Sequence, residues 1–143
     1  MNKQDQQSYI IWQHHLSRSG QIALECEGWS SKNPEVRAYS SKMDGSKKFK
    51  PMDWRFYRPA MRVRCNGLEG VFAAGNGYPK EGDHVEKLGK AYSCSVGDIV
   101  QCGGLYWMCD PYGWKDISDK MKLVKMAVRR FHPEMVAEQE AAL

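Results

Sequence analysis

Residues 93–117 constrain the fold more than any other part of this sequence. Two runs of β-branched and aromatic residues, at 99–102 and 105–109, flank the pair Gly103-Gly104. Two glycines can both adopt positive φ, as a type I′ hairpin turn requires. Residues 110–113 then have the composition of a second tight turn, with proline in its second position and glycine in its fourth. The pattern predicts an antiparallel meander of three strands.

Two further strands and two helices are predicted before this meander. Residues 9–12 are β-prone, and residues 57–65 alternate between arginine-rich and apolar faces with a period of two. Helices are predicted over residues 17–28 and 33–45, where an asparagine cap followed by proline marks the second start. The expected fold class is α+β: a small antiparallel sheet with a C-terminal three-strand meander and two helices packed on one face.

The 143 residues are predicted to form a single domain. Residues 1–7 are polar and expected to be frayed, and residues 75–90 have the glycine, proline and charge of a surface loop. Residues 118–143 are predicted to be a helical extension with apolar and basic stripes on opposite sides. A strand is the alternative for residues 122–130, since several of their side chains also suit a strand.

Composition restricts the classes of protein that this chain can belong to. No apolar run approaches the ~20 residues that span a bilayer, and the polar first residues lack the pattern of a signal peptide. A cytoplasmic location and no membrane partner are therefore expected. The five cysteines are odd in number and include no C-x-x-C pair, which favours reduced thiols.

Metal binding and catalysis receive little support from the residue pattern. Cys94, Cys102 and Cys109 lie near His84 in the sequence, but structural zinc sites bring their ligands in close pairs, and none exists here. No nucleophile signature surrounds any cysteine, and no G-x-S-x-G elbow is present. We therefore predict no metal, no cofactor and no catalytic residue.

Residues 46–64 carry the most functional information. A single acid, Asp53, stands among seven basic residues: Lys47, Lys48, Lys50, Arg55, Arg58, Arg62 and Arg64. Arginines with aromatic neighbours suit contact with an acidic protein surface, and the residues predicted for that contact are Trp54, Arg55, Tyr57, Arg58, Arg62 and Arg64. The seven basic residues are equally the alternative nucleic-acid-binding set, in which aromatics would stack bases. A third interpretation is a solvated strand whose charges protect an edge from aggregation.

The meander and its flanks also resemble a known group of proteins. The cassette S-x-S-V-G-D-I-V, then G-x-x-Y, then D-P-Y-G-W, resembles the YodL-like domain of small proteins encoded by bacteriophages and conjugative elements. The matching residues are Ser93, Ser95, Val96, Gly97, Asp98, Ile99, Val100, Gly103, Tyr106, Asp110, Gly113 and Trp114, with L-E-G-V-F at 68–72 and Gly75-Asn76 upstream. The resemblance implies an accessory protein of a mobile element acting inside a bacterial cell. It implies no catalytic residue.

These observations lead to one expected function and one alternative. The expectation is a non-enzymatic protein of a phage or mobile element that binds and inhibits or redirects a host protein, such as a defence, replication or transcription factor. Its partner would present an acidic surface to the arginines of residues 54–64. The alternative is a protein that binds nucleic acid or a nucleotide through the basic residues of 47–64. Salt dependence separates the two, because phosphate contacts weaken steeply as salt rises.

Overall fold

A computed structural model describes residues 6–143 of the protein. Its framework is a six-stranded antiparallel sheet with strand order β3-β2-β1-β4-β5-β6. The strands are β1 Gln7–His14, β2 Tyr57–Cys65, β3 His84–Lys87, β4 Ile99–Cys102, β5 Leu105–Asp110 and β6 Gly113–Asp116. The helices are α1 Arg18–Glu27, α2 Pro34–Ser41, α3 Gly67–Gly75, α4 Ser118–Phe131 and α5 Pro133–Ala141. Short 3₁₀ helices occupy Gly28–Ser30, Lys42–Lys48 and Pro51–Phe56.

The α+β class, the antiparallel sheet and the C-terminal meander are confirmed. In the first meander turn φ is positive at Gly103 (59°) but not at Gly104. That pattern belongs to a type II′ turn rather than the expected type I′, and both types match the twist of the flanking strands. The second turn ends at Gly113, where φ is 85°.

Each face of the sheet carries its own apolar cluster. On one face Trp12, Ile99 and Met108 pack with the inner side of α4 and with Val136 of α5. On the opposite face Tyr9, Ile11 and other strand residues pack with α3, and Trp107 and Trp114 lie against them. The meander is therefore covered on both sides. Most of its apolar residues form core, whereas Leu105 and Tyr112, at or next to the turns, are exposed.

The helices predicted between residues 17 and 45 are present as α1 and α2. Ser17 caps α1 by accepting from the Gly20 N–H, and Asn33 caps α2 by accepting from the N–H groups of Glu35 and Val36. They pack beside the end of β1, where His14 contacts Glu35 and Tyr39. Within residues 6–143 no helix combines the length and apolar character that crossing a bilayer requires.

Two sequence predictions need correction, and the helix predicted for residues 122–130 is confirmed over its strand alternative. Residues 84–87 are strand β3, at the sheet edge, because Val85 and its neighbours pair with β2 although all four side chains are exposed. Gln7 is not frayed, since it begins β1 opposite Cys65, while residues 1–5 of that predicted segment lie outside the described residues. Residues 122–130 are helical, because a buried stripe at Met121, Val124 and Val128 recurs at helical spacing.

Candidate functional site

The two aromatic residues predicted to contact a partner lie in the core. Trp54 and Tyr57 are each only 2% exposed, and their rings stack with centroids 5.6 Å apart. The Tyr57 hydroxyl donates to the carbonyl of Gly97 at 2.6 Å, and burial raises the pKa of Tyr57 well above its ordinary value. Both predictions are therefore wrong as surface contacts. Aromatic residues in a basic segment serve here to attach that segment to the sheet.

The predicted arginine row is divided by a bulge in β2. Met61 pairs with Ile11 and Pro59 with Trp12, so Ala60 is left without a partner in β1. A bulge shifts the alternation of side chains by one position. Arg58 pairs with Gln13 whereas Arg62 pairs with Ile10, three residues away on β1, so Arg58 and Arg62 lie on opposite sides of the sheet.

Two of the arginines are neutralised within the molecule. Arg58 donates to the carboxylate of Glu138 and to the carbonyls of Arg55 and Tyr57. Arg62 donates to Glu86 on β3 at 2.9 Å. The expectation of a free arginine row is therefore wrong for both residues. Arg64 is exposed and, among residues 6–143, has no carboxylate within 4.0 Å.

Arg62 and Arg64 lie on the same face of β2, on a part of the sheet that none of the helices described above covers. Arg64 pairs with Ser8 and with His84, all three being exposed. Arg62 pairs with Ile10, which packs at the margin of the α4 cluster. This open sheet face is polar, and its exposed guanidinium group is that of Arg64, since Arg62 is paired with Glu86.

The predicted lysines lie elsewhere. Lys48 pairs with Asp44 in its own helical turn, and Lys50 is exposed at the start of the 3₁₀ helix at residues 51–56. Lys47 lines a surface depression together with Lys115 and Lys120. Arg55 and Arg58 line a different cavity, near the start of α1. The seven basic residues of the nucleic-acid prediction therefore do not form one surface.

A buried polar network surrounds the S-V-G-D cassette. Asp98 is buried and accepts hydrogen bonds from the Ser95 N–H at 3.0 Å and from the Gln13 side chain at 2.9 Å. Gln13 also accepts from the Tyr92 N–H and contacts the His15 ring through its amide oxygen. Gly97 has φ of 90°, and a Cβ there would lie 2.6 Å from the carbonyl oxygen of Lys42. The packing of a turn therefore explains why this cassette contains Gly97 and Asp98.

Burial sets the ionisation of this network. Desolvation raises the pKa of Asp98 to about 6, against the lowering effect of its hydrogen bonds to Ser95 and Gln13. Desolvation, with the nearby charges of Lys42 and Lys90, lowers the pKa of His15 to about 4. No sequence pattern marked Gln13, because a glutamine just after a β-prone run does not reveal which side of the sheet it faces.

One contact brings the residue types of a hydrolase together without the required order. The Glu35 carboxylate accepts from the His14 ring at 3.1 Å and from both the N–H and the hydroxyl of Ser17. Burial alone would raise the pKa of Glu35, but these hydrogen bonds outweigh it and hold the pKa below its ordinary value. A serine nucleophile needs the histidine between itself and the carboxylate. Here the carboxylate lies in the middle, so the arrangement braces the start of α1.

The cysteines form no reactive or ligating group in the described structure. All five are free, and Cys65, Cys94 and Cys109 are buried. Burial raises the pKa of Cys65 and of Cys109 to about 11, and raises that of Cys94 further. Over residues 6–143 no three His, Cys, Asp or Glu side chains come together as a metal site.

Sequence reasoning missed the outer side of α4. Leu123, Met126 and Phe131 are 72%, 69% and 63% exposed, although each is a large apolar residue. Arg130 lies seven residues after Leu123 and therefore on the same side of the helix. When the residues of α4 are arranged around the helix, Leu123 and Met126 are apolar positions outside the buried stripe, and the sequence could have revealed them in this way. Phe131 lies toward the buried stripe but is exposed at the end of the helix.

Comparison of the chain with protein-family models, with curated proteins and with solved structures found no match. The resemblance to the YodL-like domain consequently stays a prediction, and the function is argued from the surfaces described above.

Proposed function

We propose that the protein is a non-enzymatic protein of a bacteriophage or related element that binds a host protein and inhibits or redirects it. The resemblance of the cassette to mobile-element proteins supports the source. The outer side of α4 supports the binding activity and replaces residues 54–64 as the main contact surface. We call this surface the α4 face; it consists of Lys122, Leu123, Met126 and Arg130.

The exposed apolar side chains of the α4 face are the observation that carries the proposal. Leu123 and Met126 lie three residues apart, a spacing that places both on one side of a helix, and Arg130 lies seven residues after Leu123 on that same side. Single exposed apolar residues are common on protein surfaces, but a group on one rigid helix is typical of a helix that packs against a partner.

The charges around the apolar residues specify an acidic partner. Among the described residues, neither Lys122 nor Arg130 has a carboxylate within 4.0 Å, and the Arg130 guanidinium lies 5.5 Å from the Phe131 ring centroid. Arg129, beside them, pairs with Glu140 of α5. An acidic segment of the partner would gain ion pairs at the rim while its apolar residues cover Leu123 and Met126.

Affinity capture from a bacterial lysate, followed by binding assays with the purified partner, tests this proposal. We expect Leu123→Ser with Met126→Ser to weaken binding at least ~10-fold, as loss of a central apolar contact does. Lys122→Glu with Arg130→Glu should weaken binding of the partner more at low salt than at high salt. Tyr112→Ser, at a residue 99% exposed on the β5–β6 turn, is the matched control.

Three outcomes would refute the α4 face. They are a partner retained with full affinity by both double variants, a partner surface without acidic residues, and a homodimer through α4 in solution. Circular dichroism of each variant confirms that a loss of binding is not a loss of folding, since all four substituted side chains are exposed.

A second candidate function rests on the open sheet face. Arg64 and His84 are exposed there, and Arg62 would join them if a phosphate displaced Glu86, an arrangement that suits a single strand of nucleic acid. Binding of a labelled oligonucleotide should then weaken steeply with salt, and Arg62→Ala with Arg64→Ala should reduce that slope. An oligonucleotide that shows no salt-dependent binding would eliminate this candidate.

A further inference from the structure

A cavity of about 620 Å³ opens between the starts of α1 and α2, the 3₁₀ helix at residues 51–56 and α5. Its volume lies in the range that small-molecule sites occupy. It is separate from both surfaces used above. Its polar and charged lining residues are His15, Ser17, Ser19, Asn33, Glu35, Arg55, Arg58, Lys90 and Glu138, and apolar residues complete the wall.

Two cations in the wall lack a counter-charge. Arg55 donates through Nη1 to the carbonyl of Met52 and lies 4.4 Å from the centroid of the Phe56 ring, which leaves its other N–H groups unused. Lys90 lies 5.3 Å from the centroid of the Tyr92 ring. In the described part of the chain neither has a carboxylate within 4.0 Å.

The two carboxylates of the cavity differ in their availability. Glu35 is buried, and its oxygens are engaged by His14 and by Ser17. Glu138 is largely exposed and holds the third cation, Arg58. A competing anion could therefore displace Glu138, whose side chain is free to turn into solvent, and so gain Arg58 as a third cationic contact.

The remaining wall is apolar. Leu16, Phe56 and Met135 line the cavity together with Pro34. A ligand that fits both parts has a compact dianion at one end and an uncharged organic body at the other. Arginine and lysine together are the usual partners of phosphate groups.

We propose that this cavity binds a small phosphomonoester of about the size of a nucleoside monophosphate. The phosphate lies against Arg55, Lys90 and the Arg58 guanidinium released from Glu138, and the organic body covers the apolar wall. The site is independent of the α4 face, so Leu123→Ser with Met126→Ser should leave this binding unchanged.

Titration of the whole protein with AMP, with inorganic phosphate and with adenosine, followed by backbone and arginine side-chain NMR, tests the proposal. We expect AMP to shift the signals of Arg55, Ser17 and Ser19 and to bind more tightly than phosphate, and adenosine to bind at least ~10-fold more weakly than AMP. Arg55→Ala and Lys90→Ala should each weaken AMP binding ~10-fold, and Glu138→Gln should tighten it several-fold.

Lys80→Ala is the matched control, since Lys80 is an exposed lysine outside the cavity and should change nothing. Four results would overturn the proposal. The first is that AMP shifts no cavity signal at about 10 mM, a concentration at which only very weak binding escapes detection. The others are that AMP binds no more tightly than phosphate, that its affinity survives the loss of both Arg55 and Lys90, or that Glu138→Gln weakens its binding. The Arg55 and Lys90 side chains are surface cations, so their variants are expected to fold.

Discussion

Asp98 shows how one buried carboxyl group can control stability. The residue is only 2% exposed, and its carboxylate accepts hydrogen bonds from the Ser95 N–H and from the Gln13 side chain. Because burial raises its pKa from 3.8 to about 6, the folded state binds a proton more tightly than the unfolded state. The stability that this contributes is complete below about pH 3.8 and is lost as pH rises through about 6.

His15 acts in the opposite direction over almost the same range. Burial lowers its pKa from 6.5 to about 4, so the folded state resists protonation. The stability that it contributes is complete above about pH 6.5 and is lost as pH falls through about 4. Asp98 and His15 both contact Gln13, and between about pH 4 and pH 6 their opposite effects on the free energy of unfolding partly cancel.

Replacing Asp98 by asparagine separates the two effects. The amide oxygen can still accept from Ser95 and Gln13, but the titration of Asp98 is absent. Relative to the unaltered protein, we expect Asp98→Asn to gain roughly 2–3 kcal/mol in free energy of unfolding between pH 4 and pH 7, since a shift of about two pKa units corresponds to that amount. Urea unfolding at several pH values measures it. A difference between the two proteins that does not change with pH would contradict the assignment.

Individual residues were the hardest part to predict from sequence. The alternation of β2 correctly indicated a half-buried strand, but the bulge at Ala60 moves Arg58 to the other side of the sheet from Arg62. A bulge depends on the pairing of two strands more than forty residues apart, and no local pattern reports it. The burial of Trp54 and Tyr57 has the same origin, because their neighbours come from α4 and α5.

Among the elements, α4 has a role on each of its sides. The inner stripe of Met121, Val124 and Val128 closes one face of the sheet, and the outer side carries Leu123 and Met126. Gln139 of the following helix donates to the carbonyls of Trp54 and Tyr57 and fixes α5 against β2. The helices predicted as an extension of the domain are thus part of its core.

Two methionines on α4 allow a matched test of this arrangement. Met121 is fully buried, whereas Met126 is 69% exposed. Met121→Ala should lower the free energy of unfolding by about 2–5 kcal/mol, as cavities in a core do, and Met126→Ala should change it by less than about 0.5 kcal/mol. Denaturant unfolding of both variants provides the measurement. Equal losses would mean that α4 packs in another orientation.

Elements with strong local signals were predicted well. Turn glycines and helix caps lie within the segments that they organise, so the meander and the helices α1 and α2 followed from short stretches of sequence. Strand β3 did not, because its four residues are exposed and lack alternation. Its existence depends on pairing with β2, and that information lies outside the segment.

At the scale of the whole molecule, a single sheet joins two apolar clusters. Strand β1 supplies Tyr9 and Ile11 to one cluster and Trp12 to the other. Loss of β1 would therefore disrupt both clusters. We therefore expect both clusters to unfold in one transition, as small single domains generally do.

Methionine methyl NMR during urea unfolding can follow the two clusters separately without any substitution. Met108 and Met121 report on the face covered by α4, and Met61 reports on the opposite face. We expect the folded signals of all three to disappear with one midpoint. Two midpoints would show that the faces are independent units.

The pairing of β1 also determines when the protein can fold during its synthesis. Ile11 lies opposite Val100, a partner that the ribosome adds about ninety residues later. Until β4 has left the exit tunnel, one edge of the first strand stays unpaired. Tyr9 and Ile11 can already pack on β2 and α3, which are made earlier, whereas Trp12 stays exposed until Ile99, Met108 and α4 have been synthesised.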